Sequence, residues 1–214
     1  MSRIRTTGVA LVGLVLPLAL LTACGDGGDD TTDADPSPSA SPTPSATPTA
    51  SESPTAKEVD FGKPAKGPKI GGSTYSYRVP VGWIDNTASA REVNSEIDTS
   101  GAEADGSDGF RNNVTVTSIV ATGGNLDDLE ADITIQLQDV AKEIEQRDRI
   151  ILDGQPMARH VGLIKAKPVN YLLDQLSGID EDGRVTVIAF SYARDVPAKE
   201  RTRLTNAVLA SWRW

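Results

Sequence analysis

Histidine and cysteine are almost missing: the 214 residues hold one of each, His160 and Cys24. One thiol cannot form an intramolecular disulfide, and one imidazole beside it leaves too few nitrogen and sulfur donors for a zinc site. Aromatic residues make up only 5% of the chain and all lie at Phe61 or later, so the capacity to bury a core begins there. Positive charge is also in deficit, with 21 Lys and Arg against 30 Asp and Glu and a net charge of -9. That balance argues against nucleic acid or an anionic lipid surface as the main partner, since both need a positive field, and it disfavours acidic substrates. No apolar run reaches the ~20 residues needed to span a bilayer; the longest, residues 8 to 23, is interrupted by Pro17. Neither a phosphate-cradling Gly loop nor a Gly-x-Ser-x-Gly nucleophile elbow occurs, and no motif calls for a cofactor or a metal.

What is there starts with the solitary cysteine. Arg3 and Arg5 give a basic start, the apolar segment follows, and Leu21-Thr22-Ala23-Cys24 places small residues directly before the thiol. This is a secretory signal pattern. The same four residues resemble the lipobox of bacterial lipoproteins. In that family the Cys sulfur receives a diacylglyceryl group and the peptide is cut before it, which implies a signal peptide at residues 1 to 23 and lipid attachment at Cys24. The alternative, a plain signal peptide, would leave an unpaired thiol in an oxidising compartment. Two or more acyl chains hold a protein stably on a membrane, so the expected location is the extracytoplasmic face of the cell membrane.

Beyond Cys24 the chain is acidic, with Asp26, Asp29, Asp30, Asp33, Asp35, Glu52 and Glu58 against Lys57 alone. Residues 36 to 56 consist of Pro, Ser, Thr and Ala apart from Glu52, the composition of an extended, disordered linker. Residues 24 to 69 are thus expected to be a tether, and residues 70 to 214 a single domain.

Within that domain Tyr75, Tyr77 and Val79 alternate with polar residues as a half-buried strand, and Val114 and Val116 mark a second. Residues 87 to 97 are ambiguous between helix and strand. Residues 98 to 109 carry three glycines and no large apolar side chain, which predicts a mobile surface loop. Asn125 is placed to cap a helix with Asp127, Asp128 and Glu130 in its first turn and Leu129, Ile133, Leu137, Val140 and Ile144 on one face. Asp132, Gln136, Asp139 and Glu143 read as its solvated side. From Arg149 a meander of strands is expected, broken at Asp153-Gly154, Lys167-Pro168 and Asp180-Glu181-Asp182-Gly183, with 185 to 192 as the central strand. A last helix starts near Asp195 and Pro197 and buries Leu204, Val208 and Trp212. Strands, helix, strands, helix point to an α+β domain with an antiparallel sheet sandwiched by helices.

Tyr-x-Val-Pro-x-Gly-Trp at 77 to 83, Phe-x-x-Asn-Val-x-Val at 110 to 116, Asp-Gly-Gln-Pro-x-x-Arg at 153 to 159 and the terminal Ser-Trp-Arg-Trp resemble actinobacterial LpqN-type lipoproteins. That group is similar in fold to the photosystem extrinsic protein PsbP and to Mog-type Ran-binding proteins. The resemblance implies a PsbP-like α-β-α sandwich over residues 70 to 214, and a binding or assembly module in the cell envelope that meets a protein partner or an apolar ligand. It transfers no catalytic residues.

Two function classes follow. As a binding module the domain must act through a surface, and a helix continued to the chain end would turn Trp214 about 200° away from Trp212, off the buried face and free to contact a partner. The other position open to Trp214 is folded back over a sheet edge. As an envelope hydrolase the chain would use His160, or a carboxylate pair such as Asp153 with Asp174 or Asp180 with Asp182. His160 reads as a plain strand residue, and the enzyme is the less favoured class.

Overall fold

The computed structural model describes residues 54–106, 110–120, 124–166 and 169–214. Cys24, the signal segment and most of the tether lie outside the described residues, as do residues 107 to 109 of the expected loop and the Lys167-Pro168 break.

The meander forms as its alternation requires. β7 (Ala141–Leu152), β8 (Gln155–Ile164), β9 (Tyr171–Ile179) and β10 (Arg184–Tyr192) run antiparallel in sequence order. Asp153 and Gly154 both take positive φ, 47° and 89°. That geometry matches the right-handed twist of the strands on either side of a two-residue hairpin, and Asp-Gly supplies it at low cost. β10 is central, flanked by β9 and by β6 (Asn113–Val120); β5 (Ile97–Glu103) and β4 (Trp83–Asp85) complete that end of the sheet. At the other end β1 (Lys57–Glu58) pairs with β7 in parallel. The sheet is therefore mixed, not purely antiparallel, and the fold class is α+β.

Helices cover both faces. Asn125 caps α2 (Leu126–Val140) by accepting from the backbone N–H groups of Asp127 and Asp128, and Leu129, Ile133 and Leu137 pack with Ile164, Tyr171, Leu173 and Val185. On the opposite face α3 (Ala198–Leu209) buries Leu204, Val208 and Leu209 with Trp212 against Leu176, Ile188, Phe190 and Tyr192. A small ribbon of β2 (Lys69–Gly71) and β3 (Ser76–Arg78) lies on that second face, and Tyr75, Tyr77 and Val79 are buried as their alternation predicts. Arg213 pairs with Ser76 as an isolated bridge, so the chain end is sewn to the ribbon.

Three expectations are corrected and one ambiguity is resolved. The domain includes residues before Ile70: β1 joins the sheet, Ala65 is buried, and its N–H donates to the Ala207 carbonyl at 2.7 Å. Residues 98 to 103 of the expected loop join Ile97 in strand β5, buried on Thr99, Ser100 and Ala102. From Thr99 to Ala102 the strand carries only small side chains, and at Gly101 there is no room for more: a Cβ there would come within 2.4 Å of Val79 Cγ1. The ambiguous stretch before it resolves into α1 (Thr87–Val93), begun by Asp85 accepting from the Thr87 N–H. Finally, α2 ends at Val140, and Ile144, expected on its apolar face, belongs to β7.

Candidate functional site

Alternation along β8 sorts its side chains between two different environments. Ala158, His160 and Ile164 are buried on the α2 side, while Arg159, Val161 and Leu163 face the α3 side. On the α3 side the cover is incomplete. Twelve helical residues span about 18 Å. Eight strands at their usual spacing extend about 34 Å. The ribbon closes the β5 end, where Val79 and Ile70 meet Gly101, and the β7 to β9 end is left open.

The result is a cleft of about 640 Å³. Its apolar lining comes from Val161, Leu163 and Leu172 on adjacent strands, with Ile150 and Tyr192 beside them and Val59 from the segment after β1. One wall is the first turn of α3, with Ala198, Arg201 and Thr202. Arg159 forks onto Asp174, Nε to Oδ1 at 2.9 Å and Nη2 to Oδ2 at 2.7 Å. Those hydrogen bonds hold the guanidinium pKa above its usual value against the opposing effect of burial. Tyr192, whose hydroxyl lies 2.8 Å from that of Thr205, has its phenol pushed well above the usual range, chiefly by burial. At the rim Lys57 meets Asp148 at 2.6 Å, and Arg147 meets Glu145 at 2.7 Å. Arg201 is different: its Nη1 donates to the Val196 carbonyl at 2.7 Å, and among the described residues no carboxylate lies within ion-pair distance of it.

The hydrolase candidates do not converge. His160 sits on the α2 side of β8, fully buried, with Nε2 at 2.9 Å from Thr134 Oγ1. Thr134 donates its hydroxyl proton to the Glu130 carbonyl, which assigns the imidazole proton to Nε2 and leaves Nδ1 bare. Desolvation pulls the His160 pKa below its ordinary value, with the Glu130 charge opposing. Glu130, expected as a first-turn acid, is itself buried and accepts from Arg149 Nε at 3.1 Å and Nη2 at 2.5 Å, while Asp127 pairs with the same guanidinium at 2.6 Å. Asp174 is held by Arg159, and Asp153 accepts from the Trp214 N–H. Asp180 organises its own turn, accepting from the N–H groups of Asp182 and Arg184. Among the described residues no group of three or more His, Cys, Asp or Glu is arranged to hold a metal ion, and no helix is long and apolar enough to cross a membrane.

Trp214 is not free of the domain. The last helix stops at Leu209, so the rotation expected from a continued helix does not occur. The indole instead stands edge-on to Trp212 at 5.2 Å between centroids, and its Nε1 donates to the Leu152 carbonyl at 2.9 Å. It is folded back over the hairpin, and a partner would meet only the exposed part of the ring.

Sequence reasoning missed the cleft. Its residues come from β7, β8, β9, α3 and the segment after β1, and each alone reads as an ordinary core or surface residue. One signal was available: residues 157 to 164 and 169 to 176 carry apolar side chains on both faces, more than a single covering helix can hide.

Fold and cleft together define an α+β sandwich with a ligand-sized opening on one sheet face. No protein-family model matches the chain, and no curated protein sequence does. Among solved structures the chain is similar to LpqN of Mycobacterium tuberculosis, described as involved in cell envelope biogenesis, at 13% identity and a TM-score of 0.47, over 67% of this chain and 84% of that one. It is also similar to the cyanobacterial PsbP of Synechocystis sp. PCC 6803, at 16% identity and a TM-score of 0.44, over 68% and 91%. A Bacteroides thetaiotaomicron protein is similar at 14% identity and a TM-score of 0.44; the overlap covers 69% of this chain and about half of that one, 48%.

Proposed function

We propose that the protein is an extracytoplasmic lipoprotein of the LpqN type, anchored through a diacylglyceryl group on Cys24, whose domain is a binding or assembly module of the cell envelope. The cleft is its ligand site, and the ligand is apolar over most of its length. The observation that carries this reading is the lining of Val161, Leu163 and Leu172, three aliphatic side chains from adjacent strands left partly open to solvent. Apolar surface at the mouth of a site within the ~300–1,000 Å³ range of small-molecule pockets is what a binding module retains and a purely structural sheet would cover. Catalysis is the weaker reading, because His160 is sealed behind the sheet and Asp153, Asp174 and Asp180 are engaged in structural bonds, which leaves neither proposed carboxylate pair with two free members.

Fluorescence of the uncharged probe N-phenyl-1-naphthylamine tests the site. It is expected to rise on addition of the protein, and Leu163→Glu is expected to abolish the rise while leaving the circular dichroism spectrum unchanged. No rise, or a rise indifferent to that substitution, would remove the cleft as the ligand site. The anchor is tested separately: Cys24→Ala should transfer the protein from the detergent phase to the aqueous phase.

A further inference from the structure

The chain as a whole is acidic, yet the cleft is not. Four cations line it, Lys57, Arg147, Arg159 and Arg201, against Glu143, Asp148 and Asp174. Most of those charges cancel locally. Lys57 is matched by Asp148 and Arg159 by Asp174 through a two-bond fork, while Arg147 pairs with Glu145 and Glu143 with Lys142, both partners just outside. Arg201 carries the charge left over. Only its Nη1 is engaged, by a backbone carbonyl, so Nε and Nη2 keep donors with no protein acceptor among the described residues. An unmatched guanidinium beside an aliphatic lining is an arrangement with two chemistries, and a ligand complementary to both must have an alkyl part and an anionic end.

Resting on the cleft reading above, we propose that the ligand is a single-chain amphiphile with a carboxylate head, a fatty acid, whose head meets Arg201 and whose chain lies along Val161, Leu163 and Leu172. The charge count selects the carboxylate. One unmatched cation balances one negative charge, and a guanidinium fork donates to the two oxygens of a carboxylate. A phosphate monoester carries more charge than Arg201 can neutralise, and Glu143 and Asp148 at the same cleft would repel the excess. The volume of about 640 Å³ suits one alkyl chain with its head and not the paired chains of a bilayer-forming lipid. An anionic ligand is thus recognised by one local charge in a chain whose overall balance disfavours it.

Calorimetric titration of the full-length Cys24→Ala chain, which has no acyl anchor to compete, tests the assignment. The ligands are dodecanoate, dodecyl phosphate and the uncharged dodecyl maltoside, each below its micelle-forming concentration. Dodecanoate is expected to bind at least about tenfold more tightly than dodecyl maltoside, the ratio that one charge-assisted contact supports. Arg201→Gln should erase that preference while leaving maltoside binding unchanged, and Arg201→Lys should restore part of it. Equal binding of dodecanoate and maltoside, or a preference surviving Arg201→Gln, overturns the head-group assignment and leaves the apolar cleft standing. Tighter binding of dodecyl phosphate than of dodecanoate overturns the choice of carboxylate. Failure of all three ligands to bind a chain with a native circular dichroism spectrum overturns this proposal, and the naphthylamine result decides whether the cleft reading falls with it.

Discussion

The two ends of one sheet face treat the same problem in opposite ways. At the β5 end Tyr75, Tyr77 and Trp212 stack nearly parallel, with centroids 4.8 Å apart for Tyr75 and Trp212 and 5.4 Å for Tyr77 and Trp212, and all three rings are buried. At the β7 to β9 end the aliphatic side chains have no such lid. The closed end spends aromatic area on stability, and the open end leaves area for something else to cover. In a chain with so few aromatics, their concentration at one end shows which part of the face the fold itself requires.

The largest effect should come from the closed end. Trp212→Ala removes the fully buried ring on which both tyrosines stack, and is expected to cost about 4 kcal/mol of stability by chemical denaturation. A loss below 1 kcal/mol would mean the stack is dispensable and the contrast between the ends false. Trp214→Ala should cost about 2 kcal/mol, since a half-buried ring and its hydrogen bond to Leu152 are lost. If it instead weakens capture of a partner with no change in the denaturation midpoint, the indole is a contact surface after all.

The smallest effect belongs to pH and lies directly behind the open cleft. His160 has a folded-state pKa below its unfolded value of 6.5, so both states leave it neutral above that pH and it contributes nothing there. As pH falls through 6.5 the unfolded chain takes up a proton that the folded chain refuses, and stability declines until the folded pKa is passed. Urea midpoints measured from pH 7 to pH 5 should therefore fall more steeply for the native chain than for His160→Gln. Identical slopes would show that burial does not exclude the proton.

The sequence was legible where side chains carry the pattern. Residues 150 to 192 announce their strands by alternation and by Asp153-Gly154, and Asn125 announces α2 by its cap. It was illegible where the fold uses small or polar residues. Thr99, Ser100, Gly101 and Ala102 look like a loop because the ribbon packed over them supplies the bulk they lack. Lys57 and Glu58 look like tether because a solvent-exposed edge strand needs no apolar face. α2 was overextended because Ile144 continues its helical spacing, and only pairing of β7 with β8 ends the helix sooner. The candidate site was hidden for a different reason. Val161, Leu163 and Leu172 have the residue types of a core, and whether they are covered depends on the length of α3 and on where it docks, which no local pattern records.

The short parallel strand at Lys57–Glu58 also has a mechanical meaning. The chain enters the domain there, with the Pro54 carbonyl accepting weakly from Arg149 at 3.4 Å and two residues in register with Ile150 and Ile151. Any pull on the preceding segment loads this attachment first. It is the thinnest seam in the sheet, two residues against the eight paired along β6 and β10. Because Lys57 and Val59 also line the cleft, opening of this two-residue seam would displace one wall of the site before the longer pairings of the sheet give way.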